Sequence, residues 1–358
     1  MKILFQLMSL GVGGAQKIAA FVMNELVESG YQVSVLSYGR EAENVNLNNQ
    51  VKRFYLDDYR PFGSFERISR VLAFRRAFRD IDHDCLVIFG PDPYAGIALG
   101  LSKSSDKVIQ CERGDLSTRS AWRKVVMKRM MHSATAGVFQ MDEARSSYGR
   151  FLPQNTMIIP NPCYAKGSLL REKDNVDKSI VAIGRLVPEK GFDVLIKAFA
   201  SVHSLFNDYK LDIVGDGEER LKLEELANSC GVSDFVVFHG AVSDVSPFLA
   251  NARLFVLSSR FEGLPNSLIE AMVMGVPVVV TDCSPGGARF LTKNGTIGGP
   301  VVPVGIDTVL SEKIIWMLDN REYAEKLGEA GKKIAIEYAP EVIAEKWLTL
   351  FRDIESRE

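Results

Sequence analysis

Ser258-Ser-Arg-Phe-Glu-Gly-Leu-Pro-Asn-Ser-Leu-Ile-Glu-Ala-Met-Val-Met-Gly-Val-Pro-Val-Val-Val-Thr-Asp-Cys-Ser284 decides how this 358-residue chain is read. The apolar run Leu254–Leu257 before it has the composition of a buried strand, and Val278–Thr281 near its end that of a second. Between them Pro265 is placed to open a helix where its missing N–H costs least, Gly275 to close it, and Pro277 to bar its continuation. Strand, loop, helix and strand make one βαβ unit, and such sheets bind ligands in the loops at the carboxyl ends of their strands. Glu262 in the loop and Glu270 in the early helix therefore both fall beside one expected crevice. A glutamate pair elsewhere would be read as solvent-facing; its position makes this one a candidate.

The same alternation extends outward. Ser179–Ile183 reads as a strand, followed by the loop Gly184-Arg-Leu-Val-Pro-Glu-Lys-Gly191 and a helix from Phe192. Arg185 and Lys190 thus stand beside a helix N-terminus, where two cations can neutralise a diphosphate. Strand Lys210–Val214 runs into Gly215-Asp-Gly217, and strand Val236–Phe238 into His239-Gly-Ala-Val242. Near the start, Lys2–Leu7 and Gln32–Tyr38 are strands around a helix over Ala15–Ser29. The intervening loop, Ser9–Gln16, carries Gly11, Gly13 and Gly14, but Gln16 stands where a dinucleotide fingerprint needs glycine. Strand Lys107–Cys111 ends in Glu112-Arg-Gly-Asp115, again at a carboxyl edge. Asp82-His-Asp84 precedes the strand Cys85–Phe89, so it lies at the opposite edge and reads as a solvated turn.

Ile158–Tyr164 and the polar run to Lys178 break this periodicity. The expected organisation is a first α/β domain over 1–165, a linker over 166–178, a second α/β domain over 179–339 and a last helix within 340–358. A chain with 46% hydrophobic and 25% charged residues suits a soluble globular protein. The five cysteines are scattered and without a C-x-x-C pair, which argues for reduced thiols in the cytoplasm and against zinc or a disulfide framework. The net charge of −2 hides an asymmetry. Residues 1–165 hold 21 Lys and Arg against 16 Asp and Glu, so the first half is basic and the second acidic. That bias is too weak for nucleic-acid binding. Two basic amphipathic helices, over 62–79 and 122–131, are suited to an anionic membrane surface.

The opening stretch closely resembles the Glu-x7-Glu signature of retaining glycosyltransferases of family 4, in the form S-x-x-E-G-L-P-N-x-L-I-E-A-M-x-x-G-x-P-V-V. Gly184–Gly191 is similar to that family's G-R-L-x-x-x-K-G motif, Gly215–Gly217 to its G-D-G turn, and Glu112–Asp115 to its S-E-R-N-D segment. The resemblance spans nearly the whole chain and implies the GT-B architecture: two Rossmann-like parallel-sheet domains facing a cleft, with a C-terminal helix crossing back. It implies transfer of a sugar from a UDP-sugar, UDP-HexNAc before UDP-hexose, with retention and without a metal or other cofactor. Arg185 and Lys190 would hold the donor diphosphate, assisted by the backbone at Gly13 and Gly14. Glu262 would hold donor-sugar hydroxyls and Glu270 the ribose; Gly215, Gly217, Gly263 and Leu264 would line the donor pocket. Glu112, Arg113 and Asp115 would meet the acceptor, a glycan or a polyprenyl-diphosphate-linked sugar of bacterial surface polysaccharide synthesis. The implied location is cytoplasmic, on the inner face of the cell membrane. Two residues depart from the pattern, Gln16 for a glutamate and Arg289 for another. A UDP-sugar 2-epimerase and a non-catalytic nucleotide-sugar-binding scaffold are the competing readings.

Overall fold

Runs of aliphatic and β-branched residues, several closed by a glycine-bearing loop, form parallel strands, the central ones buried on both faces. The computed structural model describes residues 1–11, 14–40, 45–60, 66–90, 92–100, 107–114, 116–163 and 176–356. Gly13, Asp115, Phe62–Phe65 and most of the expected linker, 164–175, lie outside them. Two compact units result: Met1–Asn161 together with Glu341–Glu358, and Pro162–Pro340.

In the first unit, the described residues give seven strands: β1 (Lys2–Gln6), β2 (Gln32–Ser37), β3 (Lys52–Tyr55), β4 (Cys85–Phe89), β5 (Lys107–Cys111), β6 (Ala136–Phe139) and β7 (Thr156–Ile158). They pair in parallel in the order β3-β2-β1-β4-β5-β6-β7. Successive strand side chains point to opposite faces, so two cores form. Phe5, Val87 and Phe89 pack with helix α1 (Gly14–Glu28) and with Trp347 and Phe351 of the last helix, Pro340–Glu355. Leu4, Leu86 and Ile88 pack with α2 (Glu66–Asp80), α3 (Pro93–Gly100) and α4 (Ala121–Ser133) through Phe74, Phe78, Ala95, Ala98 and Met130.

The second unit repeats the plan with β8 (Ser179–Ile183), β9 (Lys210–Val214), β10 (Val236–Gly240), β11 (Leu254–Leu257), β12 (Val278–Thr281) and β13 (Val301–Val302). Their order, β10-β9-β8-β11-β12-β13, reverses between β8 and β11. That reversal is where a doubly wound sheet opens a crevice. The expected doubly wound α/β class is observed in both units. One boundary moves: the helix expected from Pro265 spans Asn266–Val273, with Pro265 extended at its N-cap (φ −75°, ψ 110°). Gly275 follows with φ +73°, a left-handed turn that ends it without steric cost. Among the described residues no helix is long and apolar enough to cross a membrane.

Candidate active site

The loops after β8 and β11 meet at the reversal point of the second sheet. After β8 a short 3-10 turn, Pro188–Lys190, ends at Gly191 (φ +65°), which leads into the helix Phe192–Leu205. The loop after β11 is strapped to it. Arg260 N donates to Glu189 O at 2.7 Å and Arg260 Nη1 to Pro188 O at 2.8 Å. The same guanidinium grips both oxygens of Asp193, at 2.7 and 2.6 Å, and holds that carboxyl below its usual range. A bidentate contact of this kind fixes orientation as well as distance. Ser258 Oγ donates to Lys190 O at 3.0 Å. A Cβ at Gly191 would come within 2.3 Å of Ser258 O, so only glycine lets the loops approach this closely.

The turn after β9 is zipped to the same loop. Gly184 N donates to Val214 O at 3.0 Å, Leu186 N to Asp216 O at 2.9 Å and Glu219 N to Leu186 O at 3.0 Å. Cβ atoms at Gly215 and Gly217 would lie 1.9 Å from Gly184 O and 2.4 Å from Leu186 O. These glycines therefore permit backbone-on-backbone packing and thereby shape the loop that carries Arg185 and Lys190. On the other side, Glu262 N donates to Ser284 O at 3.1 Å, and a Cβ at Gly287 would meet Gly263 O at 1.9 Å.

This scaffold brings two of the candidate residues together. Lys190 Nζ and Glu262 Oε2 form an ion pair, with side chains only 18% and 16% exposed. Arg185 is exposed on the same loop, Leu264 is buried, and Glu270 is half-buried on the helix that follows Glu262. Arg289, one of the two departures, pairs with Asp282 at 2.8 Å. An arginine in this place thus neutralises the acid at the end of β12 where a glutamate would repel it. The arrangement offers an exposed cation, a half-buried cation and a carboxylate at one sheet edge, enough to hold an anionic group beside a hydroxyl-rich one.

The first unit is built differently at its corresponding edge. Gln16, the other departure, donates to Ser9 Oγ at 3.2 Å, and Gly14 begins α1 and is exposed. Asp92, just after β4, is 3% exposed. It accepts from Gln6 Nε2 at 3.0 Å, Tyr38 OH at 2.8 Å and the backbone N–H groups of Tyr94 and Ala95 at 3.0 and 3.3 Å. Burial pushes its carboxyl and the Tyr38 phenol upward. Glu112 is 2% exposed, with Oε1 accepting from Gly114 N at 2.9 Å and Oε2 from the Tyr148 hydroxyl. Burial raises its pKa too. In this geometry Glu112 holds its own loop. Arg113 donates to Asn161 Oδ1 at 2.8 Å and stacks over Phe89, 4.2 Å from the ring centroid, so desolvation pulls its pKa down to about 10. Lys2 Nζ reaches Asp82 at 2.5 Å, which leaves the Asp82–Asp84 turn engaged at the amino edge. Among the described residues no group of three or more acids, histidines or cysteines is gathered as metal ligands.

Residues 170–334, the greater part of the second unit, match the family model described as glycosyl transferases group 1. That unit is a group 1 glycosyl transferase domain. An uncharacterized glycosyltransferase of Haemophilus influenzae is 26% identical over 352 residues, covering 97% of this chain and 98% of its own. A Campylobacter jejuni enzyme is 24% identical over 99% of both chains; its name is GalNAc-alpha-(1->4)-GalNAc-alpha-(1->3)-diNAcBac-PP-undecaprenol alpha-1,4-N-acetyl-D-galactosaminyltransferase. Among solved structures, Anabaena HepE in complex with UDP and glucose superimposes with a TM-score of 0.79 at 18% identity, over 99% of this chain and 100% of that one. At that identity the likeness shows the shared fold, GT-B.

Sequence reasoning placed the loops after β8 and β11 at the carboxyl edge but missed several residues that hold the edges of the two sheets. Arg260 lies inside the opening stretch, yet its partner Asp193 is 67 positions away. Tyr148 was not singled out, nor were Asp92, Gln6 and Tyr38. A tyrosine or an aspartate after an apolar strand carries no spacing that marks it as a partner; the strand-order reversal between β1 and β4 was the available signal for Asp92.

Proposed function

We propose that this glycosyltransferase moves a sugar from a UDP-sugar to a lipid-diphosphate-linked or glycan acceptor during assembly of a bacterial surface polysaccharide, with retention at the anomeric carbon. The observation that carries this reading is the Lys190–Glu262 pair at the crevice of the group 1 domain, with Arg185 on the same loop. As the glycosidic bond breaks, charge gathers on the leaving diphosphate, and Arg185 and Lys190 stabilise it electrostatically. With two cations in that role no divalent metal is needed. Glu262 accepts from hydroxyls of the donor sugar and Glu270 from those of the ribose. Gly263 and Leu264 continue the pocket wall. Retention follows from attack on the face the diphosphate leaves, its oxygen taking the acceptor proton. The name of the Campylobacter relative supports a HexNAc and a polyprenyl-diphosphate acceptor, and the UDP and glucose of the HepE complex support a UDP donor and leave a hexose open.

Titration calorimetry with UDP, GDP and ADP tests the donor class. UDP alone should bind, and Arg185→Ala and Glu270→Ala should each weaken it. Incubation with UDP-HexNAc and UDP-hexoses and a polyprenyl-diphosphate glycan, in excess EDTA, should then give an α-linked product by NMR. Equal binding of all three nucleotides, an inverted product, or a glycosyl group trapped covalently on Glu262 would each overturn the corresponding part of the reading.

A further inference from the structure

We infer that Arg260 and Asp193 are a positioning pair for transfer, holding Lys190 and Glu262 in register without touching the substrate themselves. The inference rests on the proposed function in taking those two charged side chains as the groups that meet the donor. Lys190 and Glu262 lie on different loops, 72 positions apart in the chain, so no local constraint fixes one against the other. Arg260 stands two residues before Glu262, and Asp193 three residues after Lys190. Arg260 N and Phe261 N both donate to Glu189 O, at 2.7 and 3.3 Å. Two donors on one acceptor make a pivot about which the loop after β11 could still tilt. The Arg260 guanidinium removes that freedom, since it reaches both oxygens of Asp193 and also Pro188 O at 2.8 Å. Asp193 is itself a firm anchor. It lies in the first turn of the helix Phe192–Leu205, where a negative charge is favoured, and Phe192, Leu195, Ile196 and Phe199 bury that helix in the core.

Stability does not account for this pair. Its side chains are 37% and 40% exposed, and ion pairs so open to water add little to folding. Geometry does account for it. A shift of about 1 Å in a reacting group can cost about a hundredfold in rate, and a tilt of the loop after β11 would move Glu262 away from Lys190 by that order. Lysine could not replace the arginine. Its ammonium is a point charge, whereas the planar guanidinium fork spans two carboxylate oxygens and a carbonyl at once.

Arg260→Ala and Arg260→Lys test this. The kcat and donor KM are read from the nucleoside diphosphate released from UDP-GlcNAc, UDP-glucose, GDP-mannose and ADP-glucose, each with a polyprenyl-diphosphate glycan. Arg260→Ala should lower kcat about thirtyfold to a hundredfold, with KM within about threefold of wild type. Its melting temperature should fall by no more than about 4 °C. Millimolar guanidinium chloride should restore part of the lost kcat by re-forming the fork on Asp193, and sodium chloride at the same concentration should not. Arg260→Lys keeps the charge but not the fork, so it should stay below about a tenth of the wild-type kcat. A second measurement needs no donor. Acetylation of Lys190 by sulfo-N-hydroxysuccinimide acetate, followed by peptide mass spectrometry, should run faster in Arg260→Ala than in wild type. Wild-type kcat in Arg260→Lys, equal rescue by sodium chloride, or unchanged Lys190 acetylation would overturn the positioning role. Turnover of a GDP- or ADP-sugar would strike the donor reading alone, and the same variant ratios on that donor would then decide this one.

Discussion

The carboxyl edges of the two sheets invite comparison because the sheets share a strand order through their first six members. In the second unit the loops are bound to one another by main-chain hydrogen bonds and glycine-only approaches, and the charged side chains they carry remain partly exposed. In the first, the carboxylates after the two central strands, Asp92 and Glu112, are turned inward and satisfied by neighbours in their own unit, while Asp57, Asp58, Asp142 and Glu143 after the outer strands stay exposed. The centre of one edge presents charge, and the centre of the other uses charge as internal structure.

The comparison can be broken most severely at Lys190. Lys190→Ala should cut transfer by about 10²–10³-fold, the usual loss when one electrostatic stabiliser of a developing anion is removed. The measurement is kcat with saturating donor, alongside a melting curve that should barely change. Glu262→Gln should lower transfer by about tenfold to a hundredfold, while UDP itself binds a few times more tightly by calorimetry. The carboxylate that now occupies Lys190 competes with the diphosphate, and the amide does not. Weaker UDP binding in this variant would mean that Glu262 positions Lys190 without competing for it.

Glu112→Gln sharpens the other side. Burial raises this carboxyl above its unfolded value, so the folded state holds more protons between the two pKa values and stability falls as pH rises through that interval. The amide keeps acceptor oxygen for Gly114 N or Tyr148 without a buried charge. The variant should melt about 2–4 °C higher than wild type at pH 8, with the difference shrinking toward pH 4.5. A lower melting temperature at pH 8 would show that the charge itself is needed. Smallest of all, Arg289→Ala removes an ion pair with both side chains about 40% exposed. Surface pairs contribute about 0–1 kcal/mol, so the variant should lose no more than about 1 kcal/mol of stability, and transfer should stay within about fivefold of wild type.

The fold was legible because strand, glycine loop and helix recur in both halves, and each recurrence fixes which end of a strand faces a ligand. The places of Arg185, Lys190, Glu262 and Glu270 in the fold were legible for the same reason, since each sits on or just after such a loop. What a loop residue touches was not. Glu112 stands at the correct edge, but its burial depends on Tyr148, 36 positions on. Likewise the motif glycines Gly215 and Gly217 suggested proximity to a ligand, whereas the backbone they approach is that of Gly184 and Leu186. Local sequence reports chain direction and turn chemistry; partners chosen by tertiary packing leave no period to read.

The last helix has a consequence for how the molecule is made. Trp347, Leu350 and Phe351, with Ile343, Ala344 and Ile354 of the same helix, complete a core whose remaining members come from the first 161 residues, and Trp347 is only 1% exposed. On the ribosome, all of Pro162–Pro340 emerges before those side chains exist. The unit synthesised second has everything it needs to close first, while the earlier one waits with an uncovered sheet face. Biogenesis thus runs counter to chain order, and loss of the final helix should be felt as aggregation of the opening half.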